Sequence, residues 1–185
     1  MSGNKPPWTL PAKAAYSKFD GKRAQKYFGE SFETPSFFPI NSLLVCLLRD
    51  ETARTNVQPQ RALTYIKQTR SREIFESAFR AIFQSLWKEH RDLSTPENLT
   101  VALKKVFSDN EVTEVLTAAG DSKIKTQLQA TTVRVVKDQG AFGCPWFWVR
   151  NGRGQAEPFF GSDRFHYMWD FLEIPHGDLA LKANL

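Results

Sequence analysis

Gly140-Ala141-Phe142-Gly143-Cys144-Pro145, followed downstream by Phe160-Gly161-Ser162-Asp163-Arg164, decides the fold of this chain. Gly140 reads as the end of a helix. Cys144-Pro145 reads as the start of a strand, where proline fixes φ and gives up a donor that the ladder does not need. Trp146-Phe147-Trp148-Val149 is an aromatic and β-branched run that predicts a strand, and Asn151-Gly152-Arg153-Gly154 breaks it with a hairpin turn. The partner strand is expected over Ala156–Phe160. Ser162 is then expected to cap a last helix over Asp163–Leu172. The order is helix, strand, hairpin, strand, helix.

Working outward, the rest of the chain reads as helical. Asp121 is expected to cap a long helix with Ile124, Leu128, Val135 and Val136 facing inward. Ser94-Thr95-Pro96-Glu97 has capping-box spacing between Ser94 and Glu97, and the helix it starts is expected to run to about Phe107. Asp109–Ala119 predicts a further short helix ended by Gly120. The clearest periodicity comes after Ser71, where Ile74, Phe75, Ala78, Phe79, Ile82, Phe83, Leu86 and Trp87 form one wide apolar stripe that predicts core. Residues 59–69, opening with Pro59, carry Ala62, Leu63, Tyr65 and Ile66 at helical spacing. Further upstream, Ser42–Asp50 is expected to begin a helix with Asn41 or Ser42 as cap, after a loop at Phe37-Phe38-Pro39-Ile40-Asn41. Residues 21–35 predict a short polar helix and residues 1–20 an extended loop. The organisation expected is therefore 1–39 as loop and lead-in, 40–120 as an all-helical lobe, and 121–185 as the part that carries the hairpin.

Composition narrows the classes of function. The 185 residues are 41% hydrophobic and include 15 Phe, enough for a core. No apolar run approaches the roughly 18 residues of a membrane helix, so no membrane partner is expected. The net charge of +5 is scattered and interleaved with acids, with no basic block for a nucleic acid. Cys46 and Cys144 are the only cysteines and make no C-x-x-C pair, which excludes a dithiol oxidoreductase. With three histidines at no ligand spacing, no metal site is expected. No apolar leader segment is seen in Met1–Pro11.

The chemistry lies around the hairpin. A cis X-Pro bond at a strand start leaves the preceding residue's backbone free to pair with an extended peptide. A helix opening at Ser162-Asp163 offers free N–H groups and a dipole that favour a carboxylate. Each feature alone is an ordinary turn or cap. In order around one hairpin they suit a small peptide with a thiol in the middle and an anionic end, and glutathione is such a molecule.

On these residues the chain resembles the kappa-class glutathione transferases, DsbA-like thioredoxin proteins related to the 2-hydroxychromene-2-carboxylate isomerases. Gly3-Asn4-Lys5-Pro6-Pro7 resembles the family's loop of that composition. Phe38-Pro39 with Leu63–Ile66 resembles its helical insert. So do Leu86-Trp87 with Asp92-Leu93-Ser94-Thr95-Pro96-Glu97, and Ile124-Lys125-Thr126-Gln127-Leu128 with Thr131-Thr132. Gly140–Pro145 and Phe160–Arg164 resemble its two ligand-binding turns. The resemblance implies a mostly helical α/β fold: a thioredoxin-like, DsbA-like domain, N-terminally incomplete, with an inserted all-helical lobe. It also implies glutathione as co-substrate, bound by Asn4, Cys144, Pro145, Ser162 and Asp163, with the backbone of Cys144 against the cysteinyl part and Ser162-Asp163 on the γ-glutamyl end. It implies a small electrophilic substrate and a homodimer. Location would be a peroxisome or mitochondrion, with the cytoplasm also open to it; Ala183-Asn184-Leu185 is a faint version of a peroxisomal address.

The family's reactive serine stands in a Ser-Pro-Tyr-type motif upstream of its Gly-Asn-Lys-Pro-Pro loop. The resemblance therefore places no catalytic residue in this chain and puts the expected serine upstream of Met1, in a strand-helix-strand unit of roughly 30 residues or more. No Ser-Pro-Tyr occurs in the 185 residues. Without such a hydroxyl a bound thiol would be weakly activated. Cys144 stands where the family has an aliphatic residue. It reads either as a small buried apolar side chain or as a thiol that forms a mixed disulfide with glutathione. Cys46, in an apolar run, is expected to be inert. The expected function is glutathione transfer to an electrophile or reduction of a peroxide. The alternatives are the glutathione-dependent isomerase reaction and a catalytically impaired glutathione- or partner-binding remnant.

Overall fold

The computed structural model describes Lys5 and residues 7–31, 33–36 and 57–177. Asn4, the loop at 37–41, the helix expected from Ser42, Cys46 and the C-terminal tripeptide lie outside those residues. The described part is mostly helical, with a two-stranded sheet. It divides into two compact units, one within residues 5–130 and one within 131–177, and the division falls inside the helix Ser122–Lys137.

In the first unit a 3-10 turn, Pro7–Thr9, leads into α1, Pro11–Phe28. This corrects the expectation of an extended loop to residue 20 and a short helix over 21–35. Pro11 stands in the first turn, and the residues after it are rich in Ala and Lys, which favour helix without any apolar stripe. The helix buries none of its residues, so periodicity could not reveal it. Gly29, at φ 67°, ends it: its amide reaches the Lys26 carbonyl at 3.3 Å while that of Glu30 reaches Gln25 at 2.9 Å.

Helices α2 (Gln58–Thr69), α3 (Arg72–Trp87), α4 (Pro96–Leu103) and α5 (Asp109–Gly120) pack around one core. Its centre is Ala62 and Ile66 of α2, Ala78 and Ile82 of α3, Leu99 and Leu103 of α4, and Val112 and Val115 of α5. Ser85, the buried polar side chain of this group, accepts a hydrogen bond from Lys105 Nζ at 3.0 Å.

Three local expectations change here. The α4 cap is Thr95, not Ser94: Thr95 Oγ1 accepts the Asn98 amide at 3.3 Å. Pro96 forces the residue before it to stay extended, which makes Thr95 the last non-helical position. That helix stops at Leu103, and the turn after it carries Phe107 into the core. The capping box is at the next helix, where Glu111 accepts from both the amide and the hydroxyl of Ser108 at 2.9 and 2.7 Å. Third, the wide stripe of α3 is only half core. Ala78, Ala81, Ile82 and Ser85 are buried, whereas Phe79 and Phe83 are 49% and 54% exposed.

Helix α6 (Ser122–Lys137) is started by Asp121, whose carboxylate accepts the Lys123 amide at 2.7 Å. Of its expected inward residues Ile124 is buried and Leu128, Val135 and Val136 are half-buried. Gly140, at φ 71°, comes next, and the Ala141 amide returns to the Val135 carbonyl at 3.0 Å. Strand β1 is Trp146–Arg150 and β2 is Ala156–Phe160, antiparallel, with Trp148 opposite Pro158. Helix α7 is Phe165–Phe171. Its rings lie on one face of the hairpin, Phe165 at 5.8 Å from Phe147 and Phe171 at 5.6 Å from Phe159. Phe142 packs against Trp146 and Phe160 of the other face at 5.6 and 4.6 Å.

The hydrogen-bond parity of the hairpin is set at its ends. The Asn151 amide donates to Gln155 at 2.9 Å and that of Gly161 to Pro145 at 3.0 Å. Ladder bonds then fall on the odd-numbered residues, and the even ones point their backbone groups outward. Pro158 is one of these, so its missing N–H costs the hairpin nothing while leaving a gap on the outer edge of β2. The outer edge of β1, through Trp146, Trp148 and Arg150, has no proline.

Candidate functional site

The second unit brings four of the five expected ligand residues to one end of the hairpin. Cys144-Pro145 is a cis peptide bond immediately before β1. Across the pair, Gly161 directly follows β2, and its bond to the Pro145 carbonyl joins the two turns. Ser162 and Asp163 come next in the chain and are exposed. Asn4, the fifth, is not among the described residues.

Gly161 adopts φ +87°, a left-handed conformation that other residues reach only with strain. A Cβ at this position would collide with the Asp163 carboxylate. The turn therefore depends on glycine for its backbone angle, while the exposed Asp163 side chain would have to swing aside to admit a Cβ. Ser162 and Asp163 form a bend and do not cap the helix, which corrects the expectation for Asp163–Leu172. Helix α7 begins at Phe165 after Arg164, and no side chain caps its amides. The positive φ at Gly161 is the physical cause, since it folds Asp163 back toward the strand end.

Cys144 is a free thiol and exposed, which removes the reading of a small buried apolar side chain. Its backbone N–H and C=O form no hydrogen bond among the described residues. A main-chain donor and acceptor side by side at a strand start can take one residue of an extended peptide. Around Asp163 the charge is mixed: Arg164 lies at 3.9 Å from its carboxylate, and both side chains are largely exposed. A zwitterionic group, with one ammonium and one carboxylate, matches that pair of signs.

Among the described residues there is no cluster of His, Cys, Asp or Glu that could hold a metal ion, and no helix long and apolar enough to cross a membrane. Two contributors to this end of the hairpin have no role assigned from the sequence: Gly161, whose signal is its place before Ser-Asp after a strand, and Arg164, whose charge gives no signal by itself.

The chain matches the DsbA-like thioredoxin domain family over residues 1–173. It is 30% identical over 172 residues to glutathione S-transferase kappa 1 of Homo sapiens, covering 92% of this chain and 71% of that protein. It is 27% identical over 174 residues to glutathione S-transferase kappa 1 of Caenorhabditis elegans, covering 94% of this chain and 72% of that protein.

Proposed function

This chain belongs to the kappa-class glutathione transferases, within the DsbA-like thioredoxin family, and we propose that it binds glutathione at the end of its hairpin as the co-substrate for transfer to an electrophile. The observation that carries the site is the bond from Gly161 to Pro145, which holds the unpaired backbone of Cys144 beside the Ser162-Asp163 bend. In this reading the Cys144 N–H and C=O pair with the cysteinyl residue of glutathione. The γ-glutamyl end is a zwitterion: Asp163 takes its ammonium, while the Ser162 hydroxyl and Arg164 take its carboxylate. Asn4 contributes from the preceding loop. Homodimer formation and residence in a peroxisome or mitochondrion belong to the same reading.

Calorimetric titration with glutathione tests it. Saturable binding to the chain is expected, with Ser162→Ala and Asp163→Ala each weakening it. A hydrogen bond to a charged group contributes about 1.5–3 kcal/mol, so Asp163→Ala should weaken binding about tenfold or more. Absence of binding by a chain that melts cooperatively would overturn the assignment.

A further inference from the structure

A groove of about 780 Å³ in the helical unit lies beside α3, and none of the residues assigned to glutathione lines it. Its floor is the row Phe75, Phe79, Phe83 and Trp87, one residue per helical turn, with neighbouring ring centroids 6.4, 6.1 and 6.1 Å apart. Phe79 and Phe83 are nearly parallel, 18° between planes, and both are about half exposed. Lys67 lies over the Phe75 ring at 5.8 Å, which leaves Phe79 and Phe83 as the open aromatic surface. The groove is of the size of a small-molecule site, and adjacent exposed rings are costly to leave in water without an occupant.

The charges on its walls select the occupant. Glu30 and Lys88 neutralise each other at 2.9 Å, and Glu76 is paired with Arg72 at 2.7 Å. Arg80 also lines the groove and has no ion pair or hydrogen bond among the described residues. A guanidinium stacks on flat rings and pairs with planar anions. We infer that this groove binds a planar aromatic anion, its rings on Phe79 and Phe83 and its acidic group on Arg80. Such binding does not depend on the use of glutathione.

The test uses the full chain without glutathione and two fluorescent probes of similar shape: anilinonaphthalene sulfonate, which is anionic, and phenylnaphthylamine, which is neutral. The anionic probe should bind saturably. Arg80→Gln should weaken it about fivefold and leave the neutral probe unchanged. Phe79→Ser with Phe83→Ser should weaken both probes, with circular dichroism to confirm the fold. Equal effects of Arg80→Gln on the two probes, or no effect on either, would overturn the choice of an anion. That readout needs only an exposed substitution and remains decisive if the double variant fails to fold. Undiminished binding in a folded double variant would overturn the location.

Discussion

The backbone amide of Gly161 donates to the carbonyl of Pro145 at 3.0 Å, so the residue after one strand is fastened to the residue before the other. Everything proposed for glutathione hangs on that closure.

Gly161→Ala tests it. The added Cβ would need φ +87° and would meet the Asp163 carboxylate. The backbone term alone costs roughly 1–2 kcal/mol. Glutathione affinity should fall further than the melting temperature indicates, because Asp163 must move. Calorimetry beside a thermal melt checks this, and an alanine variant with native affinity would refute it.

Cys144 is exposed and free, and its thiol should be alkylated by iodoacetamide in the native state. In a separate, unalkylated sample, oxidised glutathione should yield a mixed disulfide at the same residue, with the free Cys144 thiolate attacking one sulfur and glutathione thiolate leaving. Peptide mapping by mass spectrometry reads both. A thiol labelled only after denaturation, or an adduct elsewhere, would contradict the exposed position.

Leu103 is fully buried and Phe83 is 54% exposed, although both lie on helices of one lobe. Leu103→Ala should therefore cost about 2–5 kcal/mol, and Phe83→Ser only around 0.5 kcal/mol. Urea unfolding of the two variants separates them; comparable losses would mean that the α3 aromatic row is core after all.

Stability should fall at both ends of the pH range, from different residues. The Ser108 hydroxyl, and then its amide, donate to Glu111 and hold its carboxyl below the usual carboxylate range. That contribution is fully present above the unfolded value of about 4.3 and is lost as pH falls through the lower folded value. Tyr65 shows the opposite sign. Its hydroxyl donates to Glu114, which, with burial second, pushes its pKa up. Its contribution is fully present below about 10 and is lost as pH rises through the higher folded value. Melting temperatures against pH should show Glu111→Ala losing part of the acid-side decline and Tyr65→Phe part of the alkaline one.

Legibility in the sequence depends on the kind of signal each residue gives. The hairpin is readable because turn chemistry, a strand-opening proline and β-branched and aromatic runs all agree between Cys144 and Phe160. The helices at Gln58–Thr69 and Arg72–Trp87 are readable from their periods. Helix α1 is not, because it buries nothing and helix propensity without an apolar face leaves no period. The stripe after Ser71 shows which residues are apolar but not that its width exceeds one buried face, so Phe79 and Phe83 read as core. At the site, the pairing of Cys144-Pro145 with Ser162-Asp163 is legible from order alone. The absence of a Ser162 cap is not, because the left-handed turn at Gly161 displaces the helix start, a backbone angle that glycine permits but does not announce.

Pro158 on the outer side of β2 gives the hairpin a polarity of assembly. Extension past that strand would meet a missing donor at its midpoint, while Trp146, Trp148 and Arg150 present an uninterrupted backbone on the opposite flank. Any further strand, from this polypeptide or another, is thus steered to the Trp148 side. The proline behaves as a terminator, fixing in advance which way the sheet can grow.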